Sequence, residues 1–389
     1  MIKILFLLLC LFRLKLQLNN MILTNLKLIN FRNYENLEIN FSPEINFITG
    51  DNGSGKTNIL EAISVISNLK SFRNINDNNI INWNKDSYYC SGEVSNSEFS
   101  RFEVGFSFQN NKPKKKIKID SHEIKKVSDY YGKLITVNFI PTDINIINGS
   151  PELRRRYFDS VISKLYPDYI DELNKYKEIC YSRNLILKKI KDNRGDLKLL
   201  EVWNKMFSDK ASSILKKRKS FIIEFNKLFI KNYLKISGED NSPYLNYITT
   251  LKSDDPDSIL SEVNNNSRID VRRGNTVYGP HRDDYIITNS DKIAFINYAS
   301  QGQKRTASIS LKFSEVEIIK ILKNKKCIIL VDDIFSELDE KRRNSMIDLL
   351  KNEGQIIFTM VNHFYDKNIL SNSKQFFVNK GIVSDGLNN

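Results

Sequence analysis

The residues best suited to chemistry stand at two places far apart in the chain. The first is Gly50-Asp51-Asn52-Gly53-Ser54-Gly55-Lys56-Thr57, which matches G-x-x-x-x-G-K-[ST]. Glycines at those spacings let backbone N–H groups turn onto the phosphates of a nucleotide, and a following helix N-terminus adds a favourable dipole. Lys56 is placed to neutralise phosphate charge, and the Thr57 hydroxyl to ligate Mg²⁺. The second place is Cys327-Ile328-Ile329-Leu330-Val331-Asp332-Asp333, an apolar run that reads as a buried parallel strand ending in two acids. From the end of that strand Asp332 can reach a metal held by Thr57, and Asp333 can orient or deprotonate a water. Lys56, Asp332 and Asp333 are therefore the catalytic candidates, with Thr57 and Asp332 as metal ligands. A third segment, Tyr298-Ala299-Ser300-Gln301-Gly302-Gln303-Lys304-Arg305, leads into a helical pattern. There Ser300 and Gly302 either offer a hydroxyl and a backbone N–H to a γ-phosphate or simply cap the helix. Ser336-Glu337-Leu338-Asp339 follows the paired acids directly.

A phosphate loop requires a strand before it and a helix after it. Residues 45–49 supply the strand and residues 57–69 the helix. Before them, Leu23, Leu26 and Leu28, then Leu37, Ile39 and Phe41, alternate with polar residues as short strands do. Strand-like runs recur at 88–95, 102–108 and 115–120, and the hairpin between the last two carries Lys112, Lys114, Lys115, Lys116 and Lys118. The period then changes. Pro151 opens a helical stretch and Pro167 restarts it, with Tyr169, Leu173, Tyr176, Cys180, Leu187 and Ile190 mostly three or four apart. Helical patterning runs to about residue 236, a loop-rich region with Pro243 and Pro256 follows, and strands return from about 284. A helix after Gly302 and strands at 327–332 and 355–359 complete the pass. The expectation is an α/β nucleotide-binding lobe in two pieces, residues 21–140 and 285–389, interrupted by a mainly helical lobe at 141–284.

Composition narrows the partners. With 41% hydrophobic and 27% charged residues, the 389-residue chain is of globular type. Its net charge of +13 points to a polyanion, nucleic acid before an anionic membrane, or else to a solvated basic surface. Basic residues cluster at 112–118, at Arg154-Arg155-Arg156, at Lys188, Lys189 and Lys191, and at Lys216-Lys217-Arg218-Lys219. They can meet phosphates without reading sequence, and no base-reading motif accompanies them. Cys10, Cys90, Cys180 and Cys327 have neither disulfide-framework nor zinc spacing, which suits a reducing cytoplasm. Residues 1–20 stand apart: their apolar run at 4–12 is shorter than the about 20 residues of a membrane span. They read either as a signal-like segment without a cleavage site or as an upstream start, with Met21 opening the first strand.

The four elements in this order resemble the ABC-type ATPase head, and in particular the RecF family, relatives of the SMC heads. Further residues carry the likeness: Asn30-Phe31-Arg32-Asn33-Tyr34, Pro141-Thr142-Asp143, Asn148-Gly149-Ser150-Pro151-Glu152-Leu153-Arg154-Arg155-Arg156, Ser182-Arg183-Asn184-Leu185 and Gly279-Pro280-His281-Arg282-Asp283-Asp284. The resemblance spans residues 21 to about 380. It implies an α/β fold with a mixed sheet around a long helix, ATP bound at residues 50–57, and Mg²⁺ held at Asp332. It implies that Arg32 and Asn33 lie near the nucleotide. It also implies that Ser300, Gln301, Gly302 and Gln303 contact the ATP of a second copy, so that the site is complete only in an ATP-bound homodimer. The implied function is a weak, DNA-stimulated ATPase that binds gapped DNA independently of sequence, in replication and in recombinational repair under the SOS response. It would act with RecO- and RecR-like mediators to load recombinase. The alternative is a generic ABC-type subunit that does not bind DNA directly. Pro141-Thr142-Asp143 lacks the Gln usual in ABC proteins, and Met360 stands where SMC-type heads put His, with His363 nearby. The γ-phosphate sensor is therefore unassigned. Asn84-Lys85-Asp86 lacks the spacer of a GTPase N-K-x-D.

Overall fold

The computed structural model describes residues 19–109, 112–334, 340–351, 353–361 and 373–386. Expectations for residues 1–18, for Ser336-Glu337-Leu338-Asp339 and for His363 fall outside them. The central sheet has six strands in the order Ile382–Asp385, Ser373–Asn379, Ile45–Thr49, Ile356–Met360, Ile328–Asp332, Thr136–Phe139. The outer hairpin is antiparallel and every other pairing is parallel. Both faces of this sheet are covered, which is why its strands read as nearly unbroken apolar runs. Successive side chains point to opposite faces. Ile329, Val331 and Phe358 join one apolar cluster with the helices, while Ile328, Leu330 and Ile357 join the other.

In that second cluster lies the helix after the phosphate loop, Lys56–Asn68. Ile59, Leu60, Ala62, Ile63, Val65 and Ile66 are all buried. The helix is enclosed between the central sheet and a six-stranded antiparallel sheet. That sheet runs in the order Tyr34–Asn40, Ile22–Phe31, Ser87–Ser95, Arg101–Gln109, Lys112–Ile119, His122–Glu123. A helix buried all round needs no polar face, and this one has Ser64, Ser67 and Glu61 buried as well. The α/β architecture, with a mixed sheet beside a long buried helix, agrees with the sequence expectation.

On the other face of the central sheet one apolar cluster takes in Pro151–Leu165, Asp168–Lys191, the 41-residue Leu197–Ser237, and Gln301–Lys323, of which Gln301–Lys323 lies on the strand Thr136–Phe139 and Leu197–Ser237 packs between it and Asp168–Lys191. Pro151 occupies the first helical position, where its missing N–H costs nothing. Asp196 caps the longest helix through Lys198 N, and Gly238 ends it in the left-handed region at φ 67°. The stretch read as loop-rich holds a strand, Tyr244–Ile248, antiparallel to Asp284–Thr288, and two short helices, Pro256–Asn265 and Ser267–Arg273. These elements are too short to show a period. Tertiary pairing stabilises them.

Two of the four basic clusters send arginines inward, while Arg156 and Lys216 stay exposed. Arg218, 2% exposed, bonds Asp159 at 2.9 Å, Asp283 at 3.0 Å and the Pro280 carbonyl at 2.7 Å. The Tyr247 hydroxyl also donates to Asp283. Its neighbours Lys217 and Lys219 pair with Glu172 and Asp254. Arg154 makes two 2.7 Å bonds to Asp284, and Arg155 donates to the Asp283 carbonyl. The segment Gly279-Pro280-His281-Arg282-Asp283-Asp284 is therefore an internal fastening between helices and sheet. Burial lowers the His281 imidazole to about 4; its Nε2–H donates to the Thr276 carbonyl, and its Nδ1 accepts from the Tyr176 hydroxyl. Arg218→Met should cost about 3–5 kcal/mol in urea unfolding, because it leaves Asp159 and Asp283 without a counter-charge. Lys189→Met, on an exposed helix end, should stay within about 0.5 kcal/mol. Equal midpoints for the two variants would remove the fastening role.

Candidate active site

The phosphate loop joins the strand Ile45–Thr49 to the buried helix. Gly50, Gly53 and Gly55 have φ of 151°, 77° and 120°, the region that favours glycine. At Gly55 space is closed as well: a Cβ would lie 2.5 Å from Asn33 Nδ2 and 2.7 Å from the Tyr34 hydroxyl. Asp51, Asn52 and Gly53 are exposed, while Ser54, Gly55 and Lys56 are buried. Lys56 Nζ donates to the Gly50 and Asp51 carbonyls at 2.7 and 2.8 Å, folding the ammonium back over the loop. Burial pushes that ammonium below its ordinary pKa, and the carboxylates of Asp333, Asp332 and Asp51 oppose the shift. The Ser54 hydroxyl is buried without a partner among the described residues.

Two strands over in the sheet, the paired acids arrive at the same edge. Thr57 Oγ1 donates to Asp332 Oδ1 at 2.8 Å. Thr359, at the end of the strand that lies between them, donates its hydroxyl to the same Oδ1 at 2.7 Å. That hydroxyl also accepts from the Asp333 N–H at 3.2 Å. Asp333 has φ 44°, a left-handed conformation that a non-glycine residue adopts at a cost. Thr359 is the residue of this cluster that sequence reading did not single out. Its only signal was a hydroxyl ending the apolar run Ile356-Ile357-Phe358. Thr57 and Asp332 present adjacent hard oxygen donors, the chemistry Mg²⁺ takes. Among the described residues no three His, Cys, Asp or Glu side chains converge to hold a metal by themselves, so phosphate oxygens and water would complete the shell.

Arg32 and Asn33 form the turn between the first two strands of the antiparallel sheet. Asn33 Nδ2 donates to the Ser54 carbonyl at 3.1 Å, and Asn33 Oδ1 accepts from Asn58 at 2.7 Å. The turn of the C-terminal hairpin adds a third support, Gly381 N to Ser54 O at 3.1 Å. Arg32 points elsewhere. Its guanidinium grips the fully buried Glu61 with bonds of 2.8 and 3.0 Å, and Arg73 and Ser71 share that carboxylate.

Ser300, Gln301, Gly302 and Gln303 are not gathered into this cluster. Ser300 caps Gln301–Lys323 in a reciprocal box: its hydroxyl accepts from Gln303 N, and Gln303 Oε1 accepts from Ser300 N. Gln303 Nε2 reaches Glu239 at 3.3 Å. Ser300 and Gln301 are exposed. Further along, the same helix lines a pocket with Asp143 and Ile334, the residue after Asp333, through Arg305, Ser308 and Lys312. Burial raises the Asp143 carboxyl to about 6, with Lys312 opposing.

Comparison with known proteins follows this geometry. The family model described as "RecF/RecN/SMC N terminal domain" matches residues 22–384. A "DNA replication and repair protein RecF" of Leptospira interrogans is 40% identical over 342 residues, 87% of this chain and 91% of the relative. A protein of the same name from Staphylococcus aureus is 32% identical over 370 residues, 93% and 99% of the two chains. A solved structure described as the recombination mediator protein RecF with ATP, in the RecFOR pathway, superposes with TM-score 0.87 at 28% identity, covering 96% of this chain and all of that one. An SMC head domain from Pyrococcus furiosus, at 16% identity and TM-score 0.52, shares the fold.

Lys56→Met should abolish ATP binding in calorimetry while its unfolding midpoint holds; retained binding would refute the loop's role. Thr359→Val should bind ATP normally yet hydrolyse about 10–100-fold more slowly, the usual effect of removing a group that orients a metal ligand. Thr359→Ser should restore the rate. A valine variant at the wild-type rate would deny Thr359 this part.

Proposed function

The chain belongs to the RecF family, and on that premise we propose that it is an ATP-gated clamp for DNA in replication and recombinational repair, including the SOS response. The observation that carries this reading is the split in the site. The loop, Thr57, Asp332 and Asp333 lie together, whereas residues 300–303 are bonded away from them, with Ser300 and Gln301 exposed. An exposed helix N-terminus with a capping serine suits the γ-phosphate of a second copy. Two copies would then close two sites at once.

In each site Lys56 would exchange its loop carbonyls for phosphate oxygens, and Thr57 and Asp332 would hold Mg²⁺. When bound, Mg²⁺ neutralises charge building on the β- and γ-phosphates. Asp333 takes a proton from water as its oxygen attacks the γ-phosphorus and the bond to the bridging oxygen breaks, releasing ADP. An Asp in this place, held by Thr359 in an unfavourable backbone conformation, goes with slow, DNA-stimulated turnover. Hydrolysis opens the clamp. The cytoplasm is the expected location, and among the described residues no helix is long and apolar enough to cross a membrane. The relative named for the RecFOR pathway favours RecO- and RecR-like mediators and a recombinase as partners.

Ser300→Arg puts bulk and charge at the composite site but leaves the chain's own loop intact. In sedimentation it should stay monomeric with ATP, bind ATP nearly as wild type, and lose ATP-enhanced DNA binding. Dimerisation of this variant with ATP would refute the composite site. Wild-type DNA affinity indifferent to ATP would refute the clamp and leave a generic ABC-type subunit.

A further inference from the structure

We propose that the outer face of the antiparallel sheet, along the strand Lys112–Ile119, is the surface on which the sugar–phosphate backbone of duplex DNA lies. This rests on the DNA-binding reading above and adds the place. The sequence pattern put these lysines in a hairpin, but the structure puts them on a paired strand, with register from Gln109↔Lys112 to Phe102↔Ile119. Alternation sorts them. Ile117 and Ile119 face the core, and on their side Lys115 bonds Asp77 at 2.8 Å and the Leu69 carbonyl at 2.7 Å. Lys112, Lys114, Lys116 and Lys118 face outward as a ridge. Successive outward residues of a strand lie about 6.8 Å apart.

Beside the ridge the neighbouring strand carries small residues. Gly105 and Ser107 lie directly opposite Lys116 and Lys114, and Tyr89 and Ser87 continue those two rows. A Cβ on Gly105 would meet nothing closer than 4.0 Å, and its φ is outside the left-handed region, so neither packing nor backbone requires glycine there. Glycine weakens a strand interior and admits close approach of another backbone. Acids confine the positive field to one end. Glu103 and Glu123 flank Lys118, while Lys112 lies toward the end of the sheet that carries the Arg32 and Asn33 turn. Three strand spacings, about 14 Å, separate the ridge from the strand leading into that turn, which braces the phosphate loop.

Among the described residues the strand's other side pairs only with His122–Glu123, so lysines here also guard an open edge against pairing with other chains. The experiment separates the two roles. Full-length wild type, the triple variant Lys112→Ser/Lys114→Ser/Lys116→Ser and Gly105→Thr are titrated with a mixed-sequence duplex, with and without ATP, from about 50 to 200 mM salt. Loss of three phosphate contacts lowers the salt slope by about 2.7, so the fall in affinity across that range shrinks about 40-fold. Gly105→Thr should weaken duplex binding while its thermal midpoint stays at or above wild type, because threonine favours strands. ATP affinity should be unchanged in both variants. A triple variant with wild-type affinity and slope overturns the proposal, and if it also aggregates, the ridge serves the edge alone. Wild type that binds no duplex, with or without ATP, overturns the DNA reading and this proposal together. Normal wild-type binding with unaltered variants overturns the ridge alone.

Discussion

Thr57 Oγ1 and Asp332 Oδ1 meet at 2.8 Å although 275 positions separate them in the chain. That contact requires the two strands that carry them to end at one edge of one sheet, with a third strand between. The third strand brings Thr359, whose hydroxyl bonds the same carboxylate oxygen and the next backbone N–H. Two hydroxyls thus fix one carboxylate before any ligand arrives, so little reorganisation remains at the moment of reaction. The parallel order of the sheet, the burial of its both faces and the glycine turn of the loop all serve this placement.

Rigidity around the contact comes from two layers. On one side the loop helix is enclosed between two sheets, and its buried Glu61 holds two guanidiniums. Removing either arginine changes the charge balance of a dry site directly behind the loop. On the other side, Arg218 and Arg154 fasten the helices to Asp159, Asp283 and Asp284. The helix headed by Ser300 packs into the same apolar cluster as the strand that ends in Asp332. Ser300 therefore has a packed route to the acids, past the pocket shared by Arg305, Asp143 and Ile334.

The basic surplus divides in a way that charge counting does not show. Arg218 and Arg154 are consumed by internal acids, whereas alternation on a strand sends Lys112 and Lys116 to solvent and Lys115 to Asp77. Lysines in a sequence run are equivalent until a period of two or of 3.6 assigns each one a face.

By itself the sequence determined the phosphate loop, the acid strand and the helix that follows the loop. Each is a local pattern: glycines at fixed spacing, an apolar run ending in acids, a helical run directly after the glycines. It also determined the α/β class, through the change of period at Pro151. It could not give Thr359, because that residue acts only through neighbours on other strands. Nor could it give the burial of Arg218, the strand Tyr244–Ile248, or the side on which each lysine of 112–118 stands. Those depend on which segments lie beside one another. Only tertiary structure decides that, since a contact between residues far apart in sequence leaves no mark on the spacing of either one.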